Sequence, residues 1–413
     1  MDLATDALPA RSRAPWPRLA AWLAPLLLAL GPAVIGLCAD NDAGGMLSYL
    51  VTGASHGLAW LLPALIFLGA PTCFVMWVSL RVAEATRQPY STVLAAAVGR
   101  PVARIEALAL YALNALILVT EFVGMTLGLS LLGLPRALSA ALTFALVVAL
   151  TGSRTYPRIE QLLLRVAAGN LAFLPALLLA RRAPGAAAAA FSVHPAHAPF
   201  LLLALAGNTL APWMIYWQQN AVWAGDPRTP RQRRTDLLAG QAAMIAMASA
   251  VLLLGALVPG TAAAWASPVA WIFHDGGPAA GTLFAIGLFD AGLLAACTIS
   301  LSSLWTLRAA LGHGPAHPSE APNRGPWQVV HLVTLGAAAA VVLWPGLAAG
   351  ALALWAQALG ALWLPVSLVL LGTVAGSRRV RAVPVLGLPV RAALWAMAGG
   401  YVVLAYLGLG GRA

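Results

Sequence analysis

Eleven stretches of eighteen or more mostly apolar residues follow one another along this 413-residue chain, and no other feature limits its fold so strongly. A helix needs about 20 apolar residues to cross the hydrocarbon core of a bilayer, so each stretch is expected to span a membrane. Their approximate limits are 20–54, 57–80, 105–133, 135–152, 160–180, 198–223, 236–258, 280–308, 327–347, 350–376 and 390–408. Only 9% of the side chains are charged, against about 25% in a soluble domain. That is too little polar surface to coat a water-facing globule. With 61% hydrophobic residues, roughly 250 in all, the chain has room for about a dozen spans at most and for no sizeable soluble domain. Many of its 39 Gly and some of its 29 Pro lie within the apolar runs, where membrane helices tolerate them. The expected class is an all-α membrane protein with eleven transmembrane helices.

All 24 basic residues are Arg, beside 13 acids. A net charge of +11 suggests nucleic acid only where the charge forms a patch, and here the arginines are scattered through short connections. Alternate connections hold Arg81, Arg87, Arg100 and Arg104, then Arg154 and Arg158, then Arg228, Arg231, Arg233 and Arg234, then Arg308 and Arg324, then Arg378, Arg379 and Arg381. The opposite connections hold only Arg136, Arg181 and Arg182. The positive-inside rule then puts the N-terminus in the cytoplasm and, after eleven spans, the C-terminus outside. A bacterial inner membrane is the expected location. Cys38, Cys73 and Cys297 lie in apolar segments without metal-ligand spacing, so neither a disulfide framework nor a cysteine metal site is expected. The first run follows Arg11, Arg13 and Arg18, is too long for a signal segment, and reads as an uncleaved span.

Two spans are interrupted. Ala39-Asp40-Asn41-Asp42-Ala43-Gly44-Gly45 places a polar, glycine-ended patch inside the first, and Asn208-Thr209-Leu210-Ala211-Pro212 places a proline inside the sixth. Proline lacks the N–H of a helix interior and clashes with the preceding turn. Non-helical backbone at membrane depth persists only where it lines a cavity or is buried in protein. Breaks at positions one and six of ten core spans fit a five-plus-five inverted repeat with its substrate between them. The expected division is a cytoplasmic tail over 1–19, a core over 20–376 made of repeats 20–182 and 198–376, and a loop with a peripheral eleventh span over 377–413.

An ionised carboxylate near the bilayer centre costs several kcal/mol, so each intramembrane acid needs a reason. Asp42 sits in unwound backbone among freed carbonyls and is the first candidate for cation binding. Asp40 is expected to turn away from the site. Glu121 in the third span and Asp290 in the eighth are candidates for a proton or supporting role, with hydrogen bonding to neighbouring helices as the alternative. His194, His197, His274, His313 and His317 fall in loops and read as solvated. Trp213 and Trp217, one turn apart after the second break, either gate a route or pack.

These residues resemble the NRAMP family of divalent-metal transporters, over roughly residues 25–376. Asp42-Ala43-Gly44-Gly45 takes the place of that family's Asp-Pro-Gly-Asn, followed by Gly53-Ala54 and Gly57. Ala211-Pro212-Trp213-Met214-Ile215-Tyr216-Trp217-Gln218 stands for its Met-Pro-His-Asn-Leu-Tyr-Leu-His, and Thr120-Glu121-Phe122-Val123-Gly124 for its Ala-Glu-Val-Ile-Gly. Gly287-Leu288 through Ala295-Ala296, and Gln357 with Pro365, resemble its eighth and tenth spans. The resemblance implies a LeuT-type inverted repeat. It also implies a metal site at Asp42, the Ala39 carbonyl and Asn208, with Gly45 and Ala211 at two further ligand positions and Gln357 adding an oxygen from the tenth span.

The departures suggest the ion. Gly45 removes an amide oxygen and Ala211 removes a thioether, the soft ligand that favours transition metals. What remains is a hard, oxygen-based site, suited to a partly hydrated Mg²⁺. The pattern is closer to the NRAMP-related magnesium transporter branch, so Mg²⁺ transport is expected, with Mn²⁺ also carried. The family's proton relay is mostly missing: Leu118 replaces an acid, Gln218 stands where a histidine would be, and the ninth span offers His331 but no Arg. Weakly coupled or uncoupled transport by alternating access follows. The expected partners are the divalent cation and the lipid bilayer, with no nucleic acid, cofactor or obligate protein partner. The rivals are a proton-coupled Mn²⁺/Fe²⁺ symporter, an amino-acid carrier on the same fold, whose substrate carboxylate Asp42 would repel, and a non-transporting sensor or scaffold. No nucleophile with a base suggests an intramembrane enzyme.

Overall fold

A computed structural model describes residues 29–55, 58–152, 155–182, 198–259, 267–313, 320–381 and 385–410. The tail over 1–19, the start of the first span, Gly57, His194, His197 and His317 lie outside the described residues.

The first span is two helices, α1 (Pro32–Asp40) and α2 (Ala43–Ala54). Then come α3 (Leu58–Thr86), the short α4 (Tyr90–Val98), α5 (Arg100–Leu131) and α6 (Arg136–Thr151). The fifth span comprises α7 (Tyr156–Ala167), a 3-10 turn at Gly169–Ala172, and α8 (Phe173–Leu179). The second half repeats this order. The sixth span is split into α9 (Ala198–Thr209) and α10 (Pro212–Trp223), followed by α11 (Pro230–Ala256), the short α12 (Pro268–His274) and α13 (Pro278–Ala310). α14 (Pro326–Val341), α15 (Ala349–Gly376) and α16 (Leu388–Gly410) complete the chain.

Among the described residues, eight stretches are long and apolar enough to cross a membrane, and the shorter apolar helices α6 and α14 occupy the fourth and ninth positions. With the broken first span this makes the eleven positions expected. The short helices α4 and α12 were not anticipated, and they stand at matching places, after the second and seventh spans. The split of the fifth span was also not anticipated. Its cause is long-range: the Asp290 carboxyl takes the Asn170 backbone N–H and lies over Gly169, where any side chain would collide with it.

Proline sets many of the boundaries. α1, α5, α7, α10, α11, α12, α13 and α14 all carry Pro at their first or second position, where its missing N–H would have been unpaired anyway. The sixth span is the centre of the molecule, with 83% of its most apolar window buried, whereas the eleventh, at 22%, is peripheral. Small residues let the helices meet closely. A side chain at Gly207 would collide with the Gln357 carbonyl, so α9 and α15 approach backbone to backbone beside the two breaks.

Candidate metal site at the two helix breaks

Asp-Asn-Asp followed by Ala-Gly-Gly gives the backbone reasons to leave the helix, because short polar side chains bond locally to backbone groups and glycine weakens helix. Asp42 is the N-cap of α2 and its carboxylate accepts the Gly45 N–H. Asn41 donates to the Met244 carbonyl at 2.7 Å, which anchors the unwound stretch on α11. Gln357 reaches from α15 and donates to both Asp42 oxygens, at 3.0 and 3.3 Å. Thus its amide nitrogen, not its oxygen, faces Asp42.

Glu121 joins the same helix end. Its Oε2 accepts the Ala43 N–H at 2.8 Å, the Gly44 N–H also faces it, and Thr120 donates to Oε1 at 3.0 Å. The carboxyl groups of Glu121 and Asp42 lie against each other. The start of α2 supplies free N–H groups and the positive end of its dipole, which favour carboxylates there.

The second break lies alongside. Asn208 presents its carbonyl to the Tyr49 hydroxyl at 2.9 Å and its amide nitrogen to the Gly45 carbonyl at 3.4 Å. The Thr209 carbonyl accepts from Thr72 at 2.7 Å. Ala211 is the extended N-cap of α10, and its N–H points to the sulfur of Met214 at 3.3 Å. A thioether therefore sits at this break, but three residues after Ala211 and engaged with backbone.

The empty side of Gly45 is ringed by oxygen. A β-carbon placed there would lie 2.9 Å from Asp42 Oδ1, 3.4 Å from the Asp40 carbonyl oxygen and 3.5 Å from Asn208 Oδ1. Asn208 Oδ1 is buried and has no protein partner. Asp42, Asn208 and Gln357 are 3%, 0% and 2% exposed, so the site is occluded. Among the described residues no group of three or more His, Cys, Asp and Glu side chains is placed to hold a metal. A cation at the breaks would therefore draw on amide and backbone oxygens as well as carboxylate.

Asp42, Gly45, Asn208, Ala211 and Gln357 come together at the breaks, and Ala39 is buried one residue before the end of α1. Asp40 does not turn away: its carboxyl faces the Ala211 N–H. Asp290 stands apart, at the split of the fifth span, where Asn170 continues the contact by donating to the Cys38 carbonyl at 3.3 Å. Gln218 is buried on α10 with its Oε1 unpaired, and His331 bonds Thr151 at 2.8 Å, tying the ninth span to the fourth.

Two acids escaped notice in the sequence. Glu106 accepts from Ser367 at 3.0 Å, Trp363 at 3.1 Å and Tyr216 at 3.3 Å, joining α5, α15 and α10. Asp236 caps α1 from α11, accepting from Gly31, Ala33 and Val34 at 2.7, 2.8 and 3.1 Å. Both stand at the first residues of expected spans, 105–133 and 236–258, beside arginines, where an acid reads as a hydrated span end.

Comparison with solved structures gives the same fold. A manganese transporter from Eremococcus coleocola, in complex with an aromatic bis-isothiourea compound, superposes with a TM-score of 0.70 at 18% identity, over 94% of this chain and 86% of that one. A mutant of the same transporter gives 0.69 at 19% identity with the same coverage. Mhp1, a nucleobase-cation-symport-1 family transporter with bromovinylhydantoin bound, gives 0.58 at 12% identity, over 92% and 90% of the two chains. No curated protein matches the sequence significantly. The family model for Nramp, natural resistance-associated macrophage protein-like, matches residues 33–410. That match takes in both breaks, Glu121 and Gln357, and the chain belongs to the Nramp family.

Proposed function

We propose that this integral membrane protein carries divalent metal cations by alternating access, with Mg²⁺ as preferred cargo and Mn²⁺ also carried, and without obligatory proton movement. Membership of the Nramp family supports divalent-metal transport. The choice of Mg²⁺ rests on the ring of three oxygens around the space beside Gly45. Mg²⁺ dehydrates reluctantly and is held by one or two carboxylates while keeping several waters, and Gly45 and Ala211, which bring no side-chain donor, leave those coordination positions to water. Asp42 is the central ligand, with Asn208, the Ala39 carbonyl and a turned Gln357 amide as further oxygens. The sulfur of Met214 is directed at the Ala211 N–H, so the soft donor is occupied.

The repeats over 20–182 and 198–376 would rock about this site, and the arginine-rich connections would lie in the cytoplasm of a bacterial inner membrane. Flux of Mg²⁺, Mn²⁺ and Ca²⁺ into proteoliposomes, with internal pH recorded, tests the reading. Mg²⁺ and Mn²⁺ are expected to enter without acidification. Asp42→Asn should lower the flux at least about tenfold, the effect of losing a charged contact of roughly 1.5–3 kcal/mol. Mn²⁺ entry that excludes Mg²⁺ and acidifies the lumen would establish the proton-coupled symporter instead. Folded protein that moves no divalent ion would leave the sensor or scaffold.

A further inference from the structure

A second carboxylate lies two residues before Asp42. Asp40 ends α1, is only 3% exposed, and its Oδ2 has no protein partner. This is an expensive place for an anion for three reasons. It is buried at membrane depth, it sits at the negative end of the α1 dipole, and a like charge follows two residues later. The start of α10 offsets part of this, because the Ala211 N–H faces the carboxyl. That N–H also meets the Met214 sulfur at 3.3 Å, and capping α10 would still leave Oδ2 unpaired.

The surroundings of Asp40 point to a cation. Its own carbonyl is one of the three oxygens around the Gly45 space, and Asn208 Oδ1, fully buried and unpaired, is another. The residue therefore reaches from the oxygen ring at the first break to the backbone of the second. We infer that Asp40 is a second anionic ligand for the transported cation, bound directly or through a retained water, opposite Asp42 and beside Asn208. This rests on the reading that the breaks hold a divalent ion. Two carboxylates balance a 2+ charge, so the pair selects divalent over monovalent cations.

The test is Mg²⁺ titration of the purified full chain in detergent, following calorimetric Kd and the metal-dependent shift in Tm. Wild type is compared with Asp40→Asn and Asp42→Asn. Asp40→Asn keeps the shape and an oxygen for the Ala211 N–H. It is expected to raise Kd about tenfold or more, the scale of a lost charged contact, with a metal-free Tm equal to or above wild type. A Kd within about twofold of wild type overturns the inference, whether or not the metal-free Tm falls; a fall would mark Asp40 as only a cap. If Asp40→Asn does not fold, Asp40→Glu decides, because moving the carboxylate by one methylene must weaken Mg²⁺ binding, and an unchanged Kd refutes a ligand role. Loss of binding in Asp42→Asn alone removes this inference and spares the transport site. Wild type that binds neither Mg²⁺ nor Mn²⁺ removes both.

Discussion

Asp42 and Glu121 end the same helix with different tasks. Asp42 faces the oxygen ring, whereas both Glu121 oxygens are engaged, by Ala43 and by Thr120. These contacts suit Glu121 to positioning the start of α2. Glu121→Gln removes the negative charge facing the backbone donors and leaves one acceptor oxygen instead of two, and it should lower stability by about 1–2 kcal/mol. Thermal unfolding in detergent measures this. The pH profile of Mg²⁺ flux should keep its shape, and a changed profile would make Glu121 a proton carrier. Met214→Leu offers a second residue-scale check. If the sulfur only serves the Ala211 N–H, the ratio of Mn²⁺ to Mg²⁺ flux should not change; a selective loss of Mn²⁺ would put sulfur in the ion's shell. Asp42 was legible in the sequence because a polar patch inside an apolar run demands an explanation. Glu106 and Asp236 were not, since their partners lie more than 100 residues away. The orientation of Asp40 was hidden for a related reason: helical periodicity stops at the break.

At the scale of elements, α1 is clamped on one flank and borders a cleft on another. Asp236 holds its first N–H groups, and Trp217 donates to the Pro32 carbonyl at 2.9 Å. Arg228 donates to the Leu30 carbonyl and pairs with Glu160 at 2.7 Å and Asp226 at 2.8 Å. Burial lowers the Arg228 pKa, but these two acids outweigh it and hold the guanidinium above its ordinary range. Tyr156, Trp217 and Trp305 pack edge to face or tilted, with centroids 5.0 to 5.9 Å apart, and seal this side. A cleft of about 470 Å³ is bounded by Val34, Cys38, Leu164 and Met247. Opposite, a cavity of about 590 Å³ lined by Leu47, Val51, Leu127 and Leu354 lies beside α2. Trp217→Ala should therefore release α1. Cys38, now 3% exposed, should react several times faster with maleimide in a Cys73→Ser background; an unchanged rate would mean that the aromatic cluster is not the latch. The spans themselves were readable from apolar runs, and the breaks from proline and polar residues. The split of the fifth span was not, because its cause is a carboxylate on α13.

Across the whole molecule, the matching order of the two halves places both breaks at the centre, with the eleventh span outside. Glu106 ties α5 to α10 and α15, while Asp236 and Trp217 tie α1 to α11 and α10. Opening toward the clamped side must break contacts between the halves, not bend one helix alone. The charge moved in a cycle depends on what returns. If Asp40 and Asp42 both stay ionised, the loaded site is neutral and the empty site returns with two negative charges. If only Asp42 takes part, the loaded site carries one positive charge and the empty site one negative. Either way an uncoupled cycle moves two charges per ion. At about 2.3 kcal/mol per charge per 100 mV, this is about 4.6 kcal/mol, or on the order of 2,000-fold accumulation at about 1.4 kcal/mol per decade. An uncoupled cycle of this kind needs no proton gradient to concentrate the metal. In proteoliposomes with a valinomycin-set potassium potential, an interior-negative 100 mV should drive Mg²⁺ uptake to a plateau that rises steeply with voltage. An inward proton gradient at zero potential should leave Mg²⁺ at its external level. Accumulation driven by the proton gradient alone would show a coupled cycle and move the proton site to the carboxyls at the head of α2.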